Sequence, residues 1–167
     1  KKNTFVIMIT ASHFKHNYNG FKFFIYGRKL SKAEERLIVK NINYKIIYSN
    51  IRKIKSSKVF LSDYELYINK LFRFKIKKNI IFDYSNGSAS SFIKRINFLK
   101  ESKKISYKYD GKNINLDSGS ENVKKNLNKY LEKNDILIAL DGDADRVVIA
   151  KKNHGIIESE KLALIYA

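Results

Sequence analysis

The chain has 167 residues with 34 Lys or Arg and 16 Asp or Glu, so its formal net charge is +18. It has no cysteine, which excludes a disulfide framework and thiolate chemistry, and its 44% hydrophobic residues suffice for one ordinary domain or two small ones. No apolar stretch approaches a membrane-spanning length and no secretory signal is visible, so no membrane partner is expected and a cytoplasmic location is the prediction.

The positive charge raises nucleic-acid binding as one hypothesis. A single-strand binder interleaves aromatic side chains with Lys and Arg on one open face, whereas here most aromatics fall at core-like positions and the lysines are spread along the chain. Abundant Lys, Asn, Ile, Tyr and Phe without Pro are typical of AT-rich coding, which accounts for the charge. A nucleic acid is therefore not the expected partner, and a basic nucleic-acid binder or a catalytically silent protein is the alternative from a different class.

The first predicted elements are two apolar strands that flank a polar loop. Residues 4–9 are expected to form a buried strand, and residues 21–25, with one Lys among aromatics, a second strand. The loop between them holds Ser12 beside His13, a pair that suggests an activated hydroxyl. The alternative is a turn serine that bonds its own backbone, next to a loop histidine without a chemical role.

Two capping-box signatures predict the starts of helices. Ser31-x-x-Glu34 predicts a helix that runs to about residue 43, and Ser62-x-x-Glu65 predicts a second helix over residues 64–72. The expected core residues of the second helix follow its apolar spacing: Leu66, Ile68, Leu71 and Phe72. The basic stretch 44–58 between the helices is expected to be irregular.

The second half of the chain alternates strand and helix patterns after a basic stretch at 75–78, the predicted domain boundary. Strands are predicted at 80–83, 105–109, 136–140 and 147–150, and helices at 90–100, 122–133 and from about residue 160. Apolar spacing predicts these core residues in the helices: Phe92, Ile93, Ile96, Leu99, Val123, Leu127, Tyr130 and Leu131. This alternation predicts the α/β class.

The acidic loop, defined as residues 141–146, joins two of the predicted strands. Its carboxylates, Asp141, Asp143 and Asp145, occupy alternate positions, which point the same way in extended chain. Three converging carboxylates repel one another unless a hard divalent cation binds, and such cations prefer oxygen ligands. Arg146 beside them suits a phosphate group, because a planar guanidinium matches its oxygens.

Two other interpretations of the acidic loop compete with a metal site. An EF-hand loop needs Gly at its sixth position and Glu at its twelfth, where this chain has Arg146 and Lys152, so that interpretation fails. A solvated acidic turn is the remaining alternative, although apolar flanks and strict alternation are unusual for one. Because ligands bind at the carboxyl ends of strands in α/β sheets, the acidic loop and the Ser12 loop are expected to meet.

Taken together, two stretches resemble the α-D-phosphohexomutase family. Residues 10–13 read Thr-Ala-Ser-His, and Asn19-Gly20 and Lys22 follow at the spacing of the family's active serine loop. Residues 141–146 match the family's metal loop, Asp-Gly-Asp-Gly/Ala-Asp-Arg, at every position. The family's Asn-Pro after the histidine is Phe14-Lys15 here, and loss of the proline is expected to loosen the position of Ser12.

The resemblance implies three-layer α/β/α sandwich domains with a mixed sheet. It assigns residues 1–74 to the later part of a first domain, which carries the serine loop, and residues 75–167 to most of a second, which carries the metal loop. The chain starts at Lys1 and ends at Ala167, each in or beside an apolar run, which predicts a fragment incomplete at both ends. The family's third and fourth domains, which grip the sugar phosphate, are the expected missing partners.

The resemblance also implies roles for residues. Ser12 would carry a phosphoryl group, and one Mg²⁺ would be held by a phosphate oxygen on Ser12 together with Asp141, Asp143 and Asp145. Lys22 would be a general acid/base or would stabilise charge on the bridging oxygen; the alternative is a side chain whose stem packs on its aromatic neighbours. His13 and Arg146 would orient the phosphate.

The expected substrate is a phosphorylated hexose or hexosamine. Within the family, Phe23-Phe24 after Lys22, and residues 113–115 (Asn-Ile-Asn) followed shortly by Gly119-Ser120, most resemble the members that interconvert glucosamine 6-phosphate and glucosamine 1-phosphate. The resemblance thus implies this reaction, through a bisphosphosugar, in cell-wall precursor synthesis. A mannose or glucose phosphate is the close alternative. The fragment alone is expected to be inactive as a mutase.

Overall fold

The computed structural model describes residues 4–42, 59–76 and 79–166, and its strands form two sheets. The first sheet is antiparallel in the order β1-β2-β3, from β1 (Phe5–Ile9), β2 (Phe21–Ile25) and β3 (Arg28–Lys29). The strands predicted at 4–9 and 21–25 are therefore confirmed. The loop between them, 10–20, is closed at its base by a hydrogen bond from the Thr10 N–H to the Gly20 carbonyl (2.9 Å).

The prediction that β1 is buried is wrong for the structure of this chain. Phe5 and Ile9 on β1 are 55% and 65% exposed, and Phe21 on the neighbouring β2 is 60% exposed. Among residues 4–42 and 61–76, none is buried. Three strands bury a face only when a second layer packs on it, and apolar composition alone cannot show whether that layer is present.

The first helix, α1 (Lys32–Asn41), begins at its predicted capping box. The Glu34 N–H donates to Ser31 Oγ (3.3 Å) and the Ser31 N–H donates to Glu34 Oε2 (2.8 Å). Each side chain thus satisfies a backbone donor that lacks a partner at the start of a helix. The expected end near residue 43, like the stretch 44–58, lies outside the described residues.

The second capping box does not start the second helix. That helix, α2 (Val59–Leu71), begins three residues before Ser62, so Ser62 lies inside it, whereas an N-cap residue has non-helical backbone angles. Of its predicted core residues, Ile68 and Phe72 are half-buried, but Leu66 and Leu71 are 70% and 56% exposed.

The packed face of α2 explains this division. Glu65, Ile68, Asn69 and Phe72 share one face at helical spacing, and that face packs against the second half of the chain. The Asn69 amide, for example, donates to the Arg95 carbonyl (2.8 Å) and accepts from the Asn97 N–H (2.8 Å). Leu66 and Leu71 lie off that face, so their hydrophobicity misled the prediction.

The second sheet is mixed, in the order β5-β4-β6-β7-β8. Its strands are β4 (Ile80–Asp83), β5 (Lys103–Ile105), β6 (Ile136–Leu140), β7 (Val147–Lys151) and β8 (Gly155–Ile157). β4 pairs in parallel with β5 and β6, whereas β7 pairs antiparallel with β6 and β8. The strands predicted at 80–83, 136–140 and 147–150 are confirmed. The strand predicted at 105–109 is wrong in its bounds, since β5 shares only Ile105 with it; Ser106, with a positive φ of 50°, ends the strand.

Two apolar layers cover the faces of the second sheet. On one face, Ile81, Leu137 and Ala139 pack with residues of α3 (Val123–Leu131). This helix confirms the one predicted at 122–133. On the other face, the strand residues at the alternate positions, whose side chains point the opposite way, pack with the segment 88–99 and with Ile68 of α2. The chain's last described helix, α4 (Ser159–Tyr166), starts within one residue of its predicted position.

The segment predicted as an α-helix over 90–100 is a series of 3₁₀ turns instead, namely Ser88–Ser91, Ile93–Arg95 and Asn97–Leu99. Ile96 has extended backbone angles (φ −93°, ψ 111°), which interrupt any continuous helix. The predicted core residues of this segment do face inward: Ile93, Ile96 and Leu99 are buried, and Phe92 packs beside them. The spacing of apolar residues was thus correct and the helix type was not, because 3.0 and 3.6 residues per turn differ little over so short a segment.

Of the helices in the described part of the chain, none is both long enough and apolar enough to span a bilayer.

Candidate active site

The structure brings the Ser12 loop and the acidic loop into direct contact. The acidic loop, 141–146, links the carboxyl end of β6 to β7, and the Ser12 loop follows β1. The Ser12 hydroxyl donates a hydrogen bond to Asp141 Oδ2 (2.7 Å), and the Thr10 hydroxyl donates to Asp143 Oδ2 (2.8 Å). Two loops more than 120 residues apart in sequence thus share one polar centre.

The three carboxylates of the acidic loop converge as their alternation predicted. One oxygen from each of Asp141, Asp143 and Asp145 lies within 4.8 Å of the other two. Asp141 is buried, the Asp143 side chain is only 4% exposed, and Asp145 faces solvent. Asp143 Oδ1 is a buried oxygen that has no hydrogen-bond partner in the structure.

This donor set fits a hard divalent cation. All three side chains offer carboxylate oxygens, which Mg²⁺ and Ca²⁺ prefer, and the unpartnered Asp143 oxygen is a buried acceptor available to an ion. Buried polar atoms in folded proteins almost always have a partner, so an orphaned carboxylate oxygen within such a cluster indicates a cation. Asp141, Asp143 and Asp145 are therefore the residues that could hold a metal.

Lys22 also lies at this centre. Its ammonium contacts Asp145 Oδ2 (3.0 Å) and Asp143 Oδ2 (3.1 Å), bridging the two carboxylates. The hydrogen bonds to Asp145 and Asp143 raise the pKa of Lys22 above its ordinary value, although burial opposes the shift. Lys22 projects from β2, opposite Met8 of β1, so the antiparallel register delivers it to the same end of the sheet as Ser12.

Asp143 is kept ionised by its neighbours. Burial alone would raise its pKa, but hydrogen bonds from Thr10 and Lys22, with the positive charge of Lys22, outweigh burial and lower the pKa to about 2. A carboxyl group with this pKa carries its charge throughout the neutral range, which a metal ligand requires.

Arg146 closes the acidic loop on itself. Its backbone N–H donates to Asp141 Oδ1 (3.1 Å), its Nε donates to Asp141 Oδ2 (3.1 Å), and its Nη1 contacts Glu121 Oε1 (3.0 Å). The guanidinium therefore lies beside the carboxylate that accepts from Ser12. Arg146 fixes Asp141 and places positive charge next to the serine hydroxyl.

His13, unlike the other predicted site residues, packs against an aromatic ring. Its ring packs against Phe14 with the ring centroids 4.5 Å apart, and its Nδ1 is buried without a hydrogen-bond partner. The Ser12 hydroxyl donates to Asp141, so the structure shows no serine–histidine pair of the kind that the adjacent residues suggested.

Three backbone segments meet beneath the site without room for side chains. A Cβ on Gly142 would lie 2.5 Å from the Ser12 carbonyl oxygen, and a Cβ on Gly87 would lie 2.3 Å from the Gly142 carbonyl oxygen. Such distances are far below van der Waals contact, so glycine is required at both positions. The Ser88 N–H donates to the same Gly142 carbonyl (2.9 Å), which ties the turn after β4 to the acidic loop.

Sequence reasoning missed three residues that contact this centre. Thr10 was quoted only as part of a motif, yet its hydroxyl donates to Asp143 and accepts from the Ser12 N–H (3.0 Å). Glu121 pairs with Arg146, and Asn115 donates to two carbonyls of the Ser12 loop. The position of Thr10 two residues before a candidate nucleophile is a usable signal, whereas the contacts of Glu121 and Asn115 with the site leave no local pattern.

Comparisons with known proteins agree with this geometry. Residues 1–47 match the family described as phosphoglucomutase/phosphomannomutase, alpha/beta/alpha domain I. A phosphoglucosamine mutase of Francisella philomiragia is 35% identical over 172 residues, which cover 96% of this chain and 38% of that protein. A phosphoglucosamine mutase of Nautilia profundicola is 35% identical over 174 residues, which cover 96% of this chain and 39% of that protein.

A solved structure shares the fold. The crystal structure of a phosphoglucomutase/phosphomannomutase family protein from Burkholderia thailandensis matches with a TM-score of 0.73 and 21% identity, over 97% of this chain and 36% of that one. The predicted α/β class with a mixed sheet is thereby confirmed. This chain spans less than two fifths of the length of these relatives. The sequence matches confirm the resemblance to the α-D-phosphohexomutases that the two motifs indicated.

Proposed function

We propose that this chain is part of a mutase that interconverts glucosamine 6-phosphate and glucosamine 1-phosphate through a phosphorylated Ser12. The observation that carries the proposal is the hydrogen bond from Ser12 Oγ to Asp141. Asp141 belongs to a cluster of three carboxylates in which one buried oxygen, Asp143 Oδ1, has no hydrogen-bond partner. A hydroxyl placed against a cation site is suited to phosphoryl transfer, which depends mainly on positioning and charge stabilisation.

The acidic loop would hold the metal. Asp141, Asp143 and Asp145, with a phosphate oxygen on Ser12, would bind one Mg²⁺. When bound, this ion offsets the charge of the phosphate and polarises its phosphorus toward attack. The chain's own contribution is to hold the three carboxylates together and to keep Asp143 ionised, which the lowered pKa of Asp143 supports.

Ser12 would be the covalent carrier. In the first half-reaction a sugar hydroxyl oxygen bonds to phosphorus while the Ser12 Oγ–phosphorus bond breaks, and Ser12 Oγ regains a proton as the sugar hydroxyl loses one. The product is a bisphosphosugar. This intermediate then reorients in the site and transfers its other phosphoryl group to Ser12. In that step Ser12 Oγ bonds to phosphorus and loses its proton, while the sugar oxygen–phosphorus bond breaks and the sugar oxygen gains a proton.

Lys22 and Arg146 would assist this transfer. Lys22, whose pKa is raised, is an ammonium at neutral pH and is suited to donate a proton or to stabilise charge on the bridging oxygen; action as a base requires that it first lose its proton. Arg146, fixed by Asp141 and Glu121, would orient the phosphate on Ser12, together with His13.

The proposed domain organisation follows the relatives' length. Residues 1–74 would complete a first domain and residues 75–167 a second, with the sugar held by third and fourth domains outside this chain. The chain alone is then inactive as a mutase, because the far end of the sugar phosphate has no binding groups. The proposal includes a cytoplasmic location and a role in amino-sugar and cell-wall precursor synthesis.

The choice of glucosamine rests on the relatives, since the Francisella and Nautilia proteins are both named phosphoglucosamine mutases. A mannose or glucose phosphate is the second candidate, supported by the family description that matches residues 1–47. Coupled assays of the full-length protein with each of the three 6-phosphates distinguish the candidates by their kcat/KM values.

The central experiment replaces Ser12 and Lys22 in the full-length protein. Ser12→Ala should abolish turnover and remove a phosphate from the intact mass. Lys22→Ala should slow turnover about 10²–10⁴-fold, the usual contribution of acid–base catalysis, while the phosphoserine stays detectable. Ser31→Ala, which removes a hydroxyl from the cap of α1, is the matched control and should leave turnover unchanged. Near-normal turnover by a folded Ser12→Ala variant would refute the phosphoserine mechanism.

A further inference from the structure

Asn115 connects the Ser12 loop to a distant part of the chain. It lies between β5 and α3, and its side-chain Nδ2 donates to the carbonyl oxygens of Ser12 (2.8 Å) and Phe14 (2.9 Å). Both N–H groups of the amide are therefore used on the backbone of one loop. These contacts join residues more than 100 positions apart in sequence, and they hold the backbone at Ser12, the proposed carrier of the phosphate.

The orientation of the Asn115 amide is itself fixed. The Ser85 hydroxyl donates to Asn115 Oδ1 (2.6 Å), and the Asn115 N–H donates to the Ser85 carbonyl (2.9 Å). Carbonyl oxygens only accept hydrogen bonds, so the nitrogen of the amide must face Ser12 and Phe14, while its oxygen faces the hydroxyl. Ser85 is fully buried and its own N–H donates to Asp83 Oδ1 (3.0 Å), so this anchor belongs to the rigid end of β4.

The Ser12 backbone needs such support. Its φ of 50° lies in the left-handed region, which a residue with a side chain rarely adopts and which persists only where surrounding contacts hold it. Thr10 Oγ1 accepts from the Ser12 N–H on one side of the residue, and Asn115 donates to the Ser12 carbonyl on the other. The two residues after His13 are Phe14 and Lys15, so no proline ring fixes the chain at this point.

We propose that Asn115 is a positioning residue that holds the Ser12 peptide in its left-handed conformation and so directs the Ser12 hydroxyl at Asp141. It acts through the backbone of Ser12 and Phe14, with no N–H group left for a substrate. Its effect on turnover rests on the proposed function, whereas its effect on the loop does not.

The first test measures the loop itself in the full-length protein without substrate. Asn115→Asp replaces a donor with a carboxylate that repels both carbonyls. The amides of Ser12 and Phe14, which donate to Thr10 Oγ1 and the Ala11 carbonyl, should then exchange hydrogen about tenfold faster, whereas amides of β6 should be unchanged. Asn113→Asp is the matched control, because within the described part of the chain the Asn113 side chain bonds only to Lys108 and Asp110 in its own loop.

The second test separates positioning from substrate binding. With glucosamine 6-phosphate as the substrate, Asn115→Asp should lower kcat about 10–100-fold, because small misplacements of a reacting group are costly, and should leave KM within about twofold. Ser85→Ala, which frees the amide oxygen, should lower kcat in the same direction by less. Asn113→Asp should leave both constants unchanged.

The outcomes distinguish this proposal from the proposed function. Unchanged exchange at Ser12 and Phe14 in Asn115→Asp, or an equal change in Asn113→Asp, overturns the positioning role whatever the activity. Absence of a phosphate on Ser12 in the unmodified protein refutes the mutase mechanism, while faster exchange would still establish the positioning role. If Asn115→Asp fails to fold, Asn115→Ala and Ser85→Ala, which only delete contacts, must show the same local change at smaller magnitude.

Discussion

The two sheets of this chain each carry one half of the candidate site, yet they differ in how they are held. The second sheet contains a packed interior in which Ile81, Leu137, Ala139 and Ala150 are almost completely buried. Among residues 4–42 and 61–76 of the first half, by contrast, none is buried. The acidic loop therefore rests on a rigid core, whereas the Ser12 loop rests on a sheet with little burial.

This difference indicates where the geometry of the serine comes from. Hydrogen bonds from Thr10 to Asp143, from Ser12 to Asp141 and from Asn115 to the Ser12 carbonyl all join the Ser12 loop to the second half of the chain. The second sheet supplies the fixed frame, and the Ser12 loop is fitted to it by polar contacts. Substitutions in the second sheet should therefore alter both the acidic loop and the Ser12 loop, whereas substitutions in the first sheet should alter mainly the Ser12 loop.

The largest expected effect comes from the core of the second sheet. Leu137→Ala should lower the free energy of unfolding by about 2–5 kcal/mol, because it leaves a cavity in a close-packed interior. The matched change Ile7→Ala in β1, where the side chain is half exposed, should cost about 1 kcal/mol or less. Urea titrations followed by circular dichroism measure both values, and equal costs would contradict the contrast between the sheets.

The next effect concerns the metal. Asp143→Asn removes one of three converging anionic ligands and weakens the link to Thr10, so Mg²⁺ affinity should fall at least about tenfold. Asp110→Asn makes the same change of charge at an exposed loop position outside the cluster and should alter the affinity little. Calorimetric titration of both variants is the measurement, and an unchanged affinity in Asp143→Asn would exclude this cluster as the metal site.

A smaller effect of opposite sign is expected at Lys22. Its ammonium contacts the two carboxylates that would bind the metal, so the ion must compete with it. Lys22→Met should therefore raise Mg²⁺ affinity by up to about tenfold, roughly the contribution of a charge-assisted hydrogen bond. Lys29→Met, on exposed β3, controls for the lost charge, and weaker binding in Lys22→Met would show that the ammonium supports the metal site.

The smallest expected effect is on the pH dependence of stability, to which a carboxyl group in each region contributes with opposite sign. Hydrogen bonds from Arg28, then from Ser31, lower the pKa of Glu34 in the first region, whereas burial raises the pKa of Asp83 in the second despite backbone donors. A lowered folded-state pKa means that the stabilisation by Glu34 is present above its ordinary pKa of 4.5 and declines as the pH falls below it. The difference in stability between the unmodified chain and Glu34→Gln should shrink between pH 5 and pH 3.

Thermal unfolding at each pH measures this difference. Asp83 has the opposite sign, since a raised pKa favours folding most at low pH, so its contribution cannot produce the loss predicted for Glu34. A gap between the two chains that stays constant with pH would show that Glu34 does not stabilise α1 through its charge.

Local patterns in the sequence predicted much of the fold. β4, β6 and β7 are short, almost unbroken runs of apolar residues, and the Ser31 box satisfies its own helix start, so neighbours in sequence suffice to predict them. The acidic loop was predictable for the same reason, because alternation along one strand end determines where its carboxylates point.

The features that escaped prediction depend on partners far away in the chain. The exposure of β1 depends on what packs on it, and the packed face of α2 was set by Arg95 and Asn97, some 30 residues on. The role of Asn115 depends on a loop more than 100 residues earlier. No window of sequence contains both halves of such a contact, so periodicity cannot detect it.

The junction of Gly87, Gly142 and the Ser12 carbonyl has a consequence for how the protein can change over evolutionary time. Because main-chain atoms make this contact, no exchange of side chains can adjust the spacing between the two loops, and every added Cβ would force them apart. Any change in sequence that keeps the two loops in contact must therefore leave this junction intact and alter the surroundings instead. Under the proposed function, the groups of the chemical step would be inherited as a unit, while substrate preference would diverge elsewhere in the protein.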